Sequence, residues 1–208
     1  MTDDASTVGD AFPRLQSYVK TLPQGFQSYA NCQGKSSLFS LALQLQPVAK
    51  FPDGAPAHLK KYFDTKLPPN QWVPELDYCL FTVLMADIHG WDSIGIRRFW
   101  SRVMNHINNS AMYGLLFRFL SARMLITTVA SRWSSFHKGT TCKAEKTPEG
   151  LTITLGWPEG LFPELIVHGY LGVFDALAAH SRLIKGSVEL AAQTSTSATY
   201  LMRDLVES

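Results

Sequence analysis

The stretch Thr140 to Trp157, TTCKAEKTPEGLTITLGW, decides the fold class, because the hydrophobic period changes here from helical to two. Leu151, Ile153, Leu155 and Trp157 alternate with Thr152, Thr154 and Gly156, giving an extended chain one apolar and one polar face. Thr147-Pro148-Glu149-Gly150 supplies turn residues between this run and Thr140 to Lys146, so the two runs are expected to pair as a hairpin.

Downstream, Trp157-Pro158-Glu159-Gly160 leads into a helix expected from Pro163 to Ser181. Ile166, Tyr170, Val173, Phe174 and Leu177 form its bulky stripe. Gly169, Gly172, Ala176 and Ala179 form a small-residue face, suited to letting the helix lie close on a sheet. Ser187 to Gln193 and Ala198 to Arg203 read as a second hairpin around Thr194 to Ser197. Two hairpins around one helix predict an α+β fold, with a four-stranded, mainly antiparallel sheet of ββαββ order.

Upstream the period is helical. Leu76, Cys79, Leu80, Val83, Leu84 and Ile88 share one face of a helix from Val73 to His89, with Asp77 and Asp87 off that face. Asp92 or Ser93 can cap a second helix to Ile107, on which Ile96, Phe99, Trp100 and Val103 are apolar and Arg98, Arg102 and His106 share another face. Two more helices are expected, Ala111 to Leu120 and Ala122 to Phe136, the latter burying Leu125, Ile126, Val129, Trp133 and Phe136. Before Val73, Pro47, Pro52, Gly54, Pro56, Pro68 and Pro69 break the chain into short pieces, with helical patterns at Phe12 to Leu22, Lys35 to Leu45 and Ala57 to Asp64. The expected organisation is a disordered tail over 1–10 and a single α+β domain over 11–208. That domain comprises an irregular arm (11–70), a helical part (71–138) and the ββαββ part (139–208).

A chain of 208 residues with 46% hydrophobic and only 17% charged residues can bury a core and is not compositionally disordered. The polar, acidic start MTDDASTVGD reads as a frayed tail, so a cytoplasmic protein is expected. Ala111 to Ala130 and Gly160 to Ala179 approach the length of a bilayer span, but Arg118, Arg123, Glu164, His168 and Asp175 argue against insertion. Cys32, Cys79 and Cys142 are odd in number and widely spaced, which fits reduced thiols. The net charge of +2 hides a segregation: nine Lys or Arg and one acid, Glu145, fall between Arg97 and Lys146. Such a cluster steers acidic partners.

No G-x-S-x-G elbow, P-loop, dinucleotide fingerprint or H-E-x-x-H helix occurs, so an enzyme ranks third among the functional classes. His137, with Cys142 five residues on, could serve as a ligand, but the spacing supplies no complete metal set and no metal site is expected. The Arg98, Arg102 and His106 stripe lacks a recognition-helix motif or stacking aromatics, which disfavours nucleic acid.

Four segments carry a resemblance: Tyr18-Val19-Lys20-Thr21-Leu22-Pro23-Gln24-Gly25, Trp72-Val73-Pro74-Glu75, Arg132-Trp133-Ser134-Ser135-Phe136-His137-Lys138-Gly139, and Pro163-Glu164-Leu165-Ile166-Val167-His168-Gly169. In this order they resemble a myxobacterial family of paralogues of similar length. The architecture more distantly resembles the group containing four-vinyl-reductase-type domains, haem-nitric-oxide-binding domains and Bet3-type trafficking subunits. That resemblance implies binding of small or hydrophobic molecules, or protein interaction. The Tyr-x-Ser-x-Arg haem-propionate motif of nitric-oxide sensors is absent, with Leu155-Gly156-Trp157-Pro158-Glu159 in the comparable region, so no cofactor is expected.

The leading expectation is therefore a non-enzymatic small-molecule-binding or sensor-like domain with an apolar cavity between sheet and helices. A hydrophobic small molecule would be bordered by Trp133, Phe136, His137, Trp157, Tyr170 and Phe174. The alternative is a protein-interaction or regulatory module that docks an acidic partner or nucleic acid through the basic helical middle, with Arg98, Arg102 and His106 as its surface. An exposed edge of the sheet would suit a homodimer.

Overall fold

In chain order, the described elements begin with α1 (Pro13–Lys20), a 3₁₀ turn at Gly25–Gln27, β1 (Gln33–Lys35), α2 (Ser37–Leu45) and α3 (Lys60–Asp64). They continue with β2 (Trp72–Pro74), α4 (Glu75–His89), α5 (Ser93–Asn108), β3 (His137–Lys138), β4 (Thr141–Thr147) and β5 (Gly150–Gly156). The last are α6 (Glu164–His180), β6 (Val188–Gln193) and β7 (Ser197–Met202). The computed structural model describes residues 8–65, 67–68, 70–109, 130–131, 133–180 and 188–203. The helix expected from Ala111 to Leu120, most of the one expected from Ala122 to Phe136, and the tail through residue 7 lie outside the described residues.

The fold is α+β, with a four-stranded antiparallel sheet in the order β4-β5-β7-β6. The alternation that marked the sequence sets the register. Leu151, Ile153 and Leu155 are fully buried and Trp157 nearly so, while Thr154 meets Thr199 through their hydroxyls across β5 and β7 at 3.1 Å. Phe174 of α6 lies on this buried face, 4.8 Å from the Tyr200 ring of β7, and the Tyr200 hydroxyl donates to the Val167 carbonyl at 3.0 Å.

The other side of α6 corrects an expectation. Its glycines meet helix α5, not the sheet: a Cβ at Gly172 would lie 2.0 Å from the Arg97 carbonyl oxygen, and one at Gly169 would lie 2.8 Å from Trp100. Small residues let two helix backbones approach, and period alone cannot tell whether a sheet or a helix is the neighbour. Ala179 is exposed and takes no part. The Arg97 guanidinium closes the contact, with Nε and Nη2 donating to Asp175 at 2.6 and 2.7 Å and Nη2 also to the Val188 carbonyl at 2.9 Å. One side chain thus ties α5, α6 and β6.

Helix α4 holds the second correction. Instead of one apolar face it is buried all round, from Glu75 through Ala86, because the arm packs on the side that the sequence left to solvent. Asp77 and Asp87, expected off the buried face, are both enclosed. Asp87 accepts from the Leu15 amide at 2.9 Å and so holds the first turn of α1. Asp77 accepts from the Tyr62 hydroxyl and from Lys61 Nζ at 3.2 Å, with His58 Nε2 at 3.3 Å. Burial alone would raise the Asp77 carboxyl, but hydrogen bonds from His58 and Tyr62 and the nearby His58 and Lys61 charges hold it below its ordinary value.

The third correction is a second sheet. Val73 and Pro74, expected to open a helix, lie in β2, and the strand order β2-β1-β3 joins the arm, the entry to α4 and the segment after 133–136. Gly34 of β1 is opposite Val73 on one side and His137 on the other. Strands of two or three residues carry too little alternation to be read from sequence. Outside, Lys35 and Lys138 lie 3.9 and 4.1 Å from the Trp72 ring, an aromatic held between two cations.

Candidate functional site

The small sheet places His137 beside the first turn of α4. Pro74 precedes the helix, and the Glu75 amide donates to the Cys32 carbonyl at 2.9 Å, so the Glu75 side chain turns inward across β1. Gly34 makes the passage possible, since a Cβ there would stand 2.7 Å from Glu75 Oε2. That oxygen lies 3.0 Å from His137 Nδ1, in a pair whose acid is 1% and whose imidazole is 10% exposed. Gly139 turns the chain just beyond with φ +76, where a Cβ would meet the Asn31 carbonyl and the Cys32 sulfur at 2.7 Å.

Trp133 covers the imidazole. The rings stack 4.1 Å apart at 16°, and the indole N–H donates to Thr140 Oγ1 at 3.0 Å. Tyr170 of α6 stands 5.8 Å from the Trp133 ring and 6.5 Å from His137. From it the aromatic contacts branch to Phe174 at 6.3 Å and to Phe162 at 5.6 Å, and Phe162 continues to Trp157 at 4.9 Å.

Two polar atoms in this cluster have no partner. Glu75 Oε1 and the Tyr170 hydroxyl are both buried without a hydrogen bond among the described residues. A buried acceptor or hydroxyl left unpaired costs about 1–3 kcal/mol, so each such atom in a folded protein calls for an explanation such as a ligand or a water. Burial chiefly, and then the Glu75 charge, pushes the Tyr170 phenol well above its ordinary value. The nearby thiols are those of Cys32 and Cys79, not Cys142. The Cys32 sulfur is 3.5 Å from the Gly139 carbonyl, and burial followed by the Glu75 charge raises it, as it does the fully buried Cys79. Cys142, half-buried on β4, is pushed up to about 12 by burial.

Trp133, His137, Tyr170, Phe174 and, through Phe162, Trp157 therefore form one connected set, whereas Phe136 is 40% exposed and stands outside these ring contacts. The apolar cavity expected between sheet and helices has no counterpart on the described sheet–α6 contact. Ile153, Leu155, Tyr200 and Phe174 are at most 1% exposed there, and such side chains border no water-sized void. Glu75 was missed as a site residue because it was read only as the last residue of the Trp72-Val73-Pro74-Glu75 segment that carries the family resemblance. Its signal was the run of mostly apolar residues after it: a helix buried all round carries its first acids inward with it.

Arg98 and Arg102 line an open cleft of about 820 Å³ on α5, together with Ile94, Trp91 and the Arg97–Asp175 pair. Ile94 is 57% exposed. His106 is exposed farther along α5 and is not part of the cleft wall. Among the described residues there is no cluster of three or more His, Cys, Asp or Glu side chains that could hold a metal ion, and no described helix is long and apolar enough to cross a membrane.

Neither a family model nor a curated protein matches the chain. Solved structures do. An H-NOX protein from S. oneidensis in the Fe(II)NO ligation state is 12% identical with a TM-score of 0.54, over 81% of this chain and 98% of its own. An Fe(II) unliganded mutant H-NOX protein from K. algicida is 16% identical with a TM-score of 0.51, over 81% and 95%. A structure from work on haem distortion in the H-NOX family is 9% identical with a TM-score of 0.52, over 95% and 97%. At these identities the likeness is one of fold, and it agrees with the distant resemblance to haem-nitric-oxide-binding domains.

That fold raises the question of haem. Glu75 Oε2 lies 3.0 Å from His137 Nδ1 and Trp133 stacks on a face of the imidazole at 4.1 Å, so any ligation by His137 would have to use Nε2 in the ring plane. Arg97 is committed to Asp175, and Lys35 and Lys138 lie over Trp72.

Proposed function

We propose that this protein is a non-enzymatic small-molecule-binding, sensor-like domain, with its ligand at the Trp133–His137–Tyr170 junction between the helical part and the sheet. One observation carries the reading: Glu75 Oε1 and the Tyr170 hydroxyl are both buried and both unpartnered, beside a connected set of aromatic rings. Pockets of this kind combine apolar walls with a few convergent polar atoms. Fold likeness to H-NOX domains supports a sensor role. The ligand site then lies at the edge of the filled sheet–α6 layer, with Phe136 outside it.

The site also suits signalling. His137 belongs to β3, Gly34 to β1 and Glu75 follows β2, so a ligand that engages the acid would pull on all three strands and through them on the arm. Native mass spectrometry of protein purified from its own host is expected to show a retained molecule, and Trp133→Phe is expected to weaken it. A compact protein carrying no molecule, with no thermal shift across a lipid, tetrapyrrole and small-metabolite panel, would refute the reading.

A second reading rests on a separate surface. The exposed Arg98 and Arg102 beside Ile94 suit an acidic protein segment with an apolar anchor. Arg98→Glu with Arg102→Glu should abolish a salt-dependent complex; unchanged binding of a partner would dismiss this face.

A further inference from the structure

We infer that the outer edge of β4 is a self-complementary interaction surface, along which a second copy of this chain pairs antiparallel and extends the sheet from four strands to eight. This goes beyond the binding reading above and does not depend on it. β4 (Thr141–Thr147) pairs with β5 in seven uninterrupted steps and ends the strand order β4-β5-β7-β6, so its other side meets no described strand. An edge of this length presents a row of backbone donors and acceptors that another strand can take up. The opposite edge is less suited. β6 is broken by a register shift between Leu190 and Ala192, and its Val188 carbonyl already accepts from Arg97 Nη2.

Backbone and charge agree on one register. The Thr152 hydroxyl donates to the Glu145 carbonyl at 3.2 Å, which turns that carbonyl toward β5, and the alternation of an antiparallel ladder then sends the backbone groups of Ala144 outward. Ala144 is the midpoint of β4, so a two-fold axis there overlaps all seven residues and lets Ala144 exchange both backbone bonds with its own copy. In that register Lys143 stands directly opposite Glu145 of the partner subunit. Both side chains are exposed, and neither has an ion-pair partner among the described residues. Opposite charges across a ladder are favourable and like charges are not. Moving the axis by one residue would set Lys143 against itself on one side, or Glu145 against itself on the other. On the second face, half-buried Cys142 and Ala144 lie beside Leu155 and Ile153 of β5, so pairing continues an apolar layer.

Sedimentation equilibrium of the full chain tests this. A monomer–dimer equilibrium that weakens as salt is added is expected. Two symmetry-related pairs change sign together in a single charge reversal, so Lys143→Glu is expected to raise the dissociation constant by about tenfold or more, and Glu145→Lys likewise. Both positions are exposed, so neither change touches the core. Mixing the two variants makes every facing pair opposite in charge again, and a mixed dimer at least as tight as that of the unchanged chain is expected. A chain that stays monomeric at its highest soluble concentration overturns the inference. So does a dimer that both single reversals leave intact, or a mixture of the two variants that does not associate.

Discussion

Glu75 and Asp77 stand in the same turn of α4, both buried, and the protein treats them differently. Asp77 faces the arm, where Tyr62, Lys61 and His58 surround it. Glu75 faces the junction with the sheet, where one oxygen meets His137 and the other has no hydrogen-bond partner among the described residues. The same contrast holds at larger scale. Between α5, α6 and the sheet, glycines bring backbones into contact and Arg97 satisfies both Asp175 oxygens and a strand carbonyl. At the Trp133–His137–Tyr170 junction, polar atoms are buried and left open. Buried polar groups are normally paired, so the first region is built for stability and the second holds the unmet hydrogen-bonding capacity on which the proposed ligand would draw.

The strongest blow to the packed region should be Phe174→Ala, expected to cost about 3–5 kcal/mol in urea unfolding because the ring fills the sheet–α6 layer. A loss under 1 kcal/mol would mean that this layer is not the tight one. Gly172→Ala should cost about 1–3 kcal/mol despite alanine's better helix propensity, since the added methyl meets the Arg97 carbonyl. A neutral result there would separate α5 from α6.

The two acids can be told apart by acid titration. Asp77 has a folded value below its unfolded one, so its contribution is complete above the ordinary aspartate range and is lost as pH falls through that range toward the folded value. Asp77→Asn should flatten this limb of the stability–pH curve, and an unchanged limb would show that its partners do not stabilise it.

The smallest effects make the sharpest pair. Tyr200→Phe should cost about 1 kcal/mol, because the Val167 carbonyl loses its donor. Tyr170→Phe should be neutral or stabilising by up to about 1 kcal/mol in ligand-free protein, since it removes an unpartnered hydroxyl. Equal losses at the two tyrosines would erase the distinction between the packed and the open region.

Much of the fold was legible because period is local. Alternation in Leu151 to Trp157 marked a half-buried strand, the spacing of Ile166, Tyr170 and Phe174 marked α6, and the cap of α5 was narrowed to Asp92 or Ser93, of which Asp92 serves, accepting from the Gly95 amide at 2.8 Å. The minor sheet was not legible: β1, β2 and β3 are two or three residues long and pair across the whole arm. Half of the candidate site was visible as aromatics around Trp133, His137 and Tyr170. Its acid was not, because Glu75 at a helix start looks like any exposed dipole partner until the arm closes over it.

By itself, then, the amino-acid sequence determined the types of the longer described elements, the α+β class and the bulky stripes that α5 and α6 bury, since these follow from side-chain spacing along one stretch of chain. Tertiary structure alone decided which surface each stripe meets. It set the glycines of α6 against a helix, enclosed α4 on every side and carried Glu75 past Gly34 to His137. Those outcomes depend on residues far apart in the chain, whose approach is fixed only when the whole core packs at once.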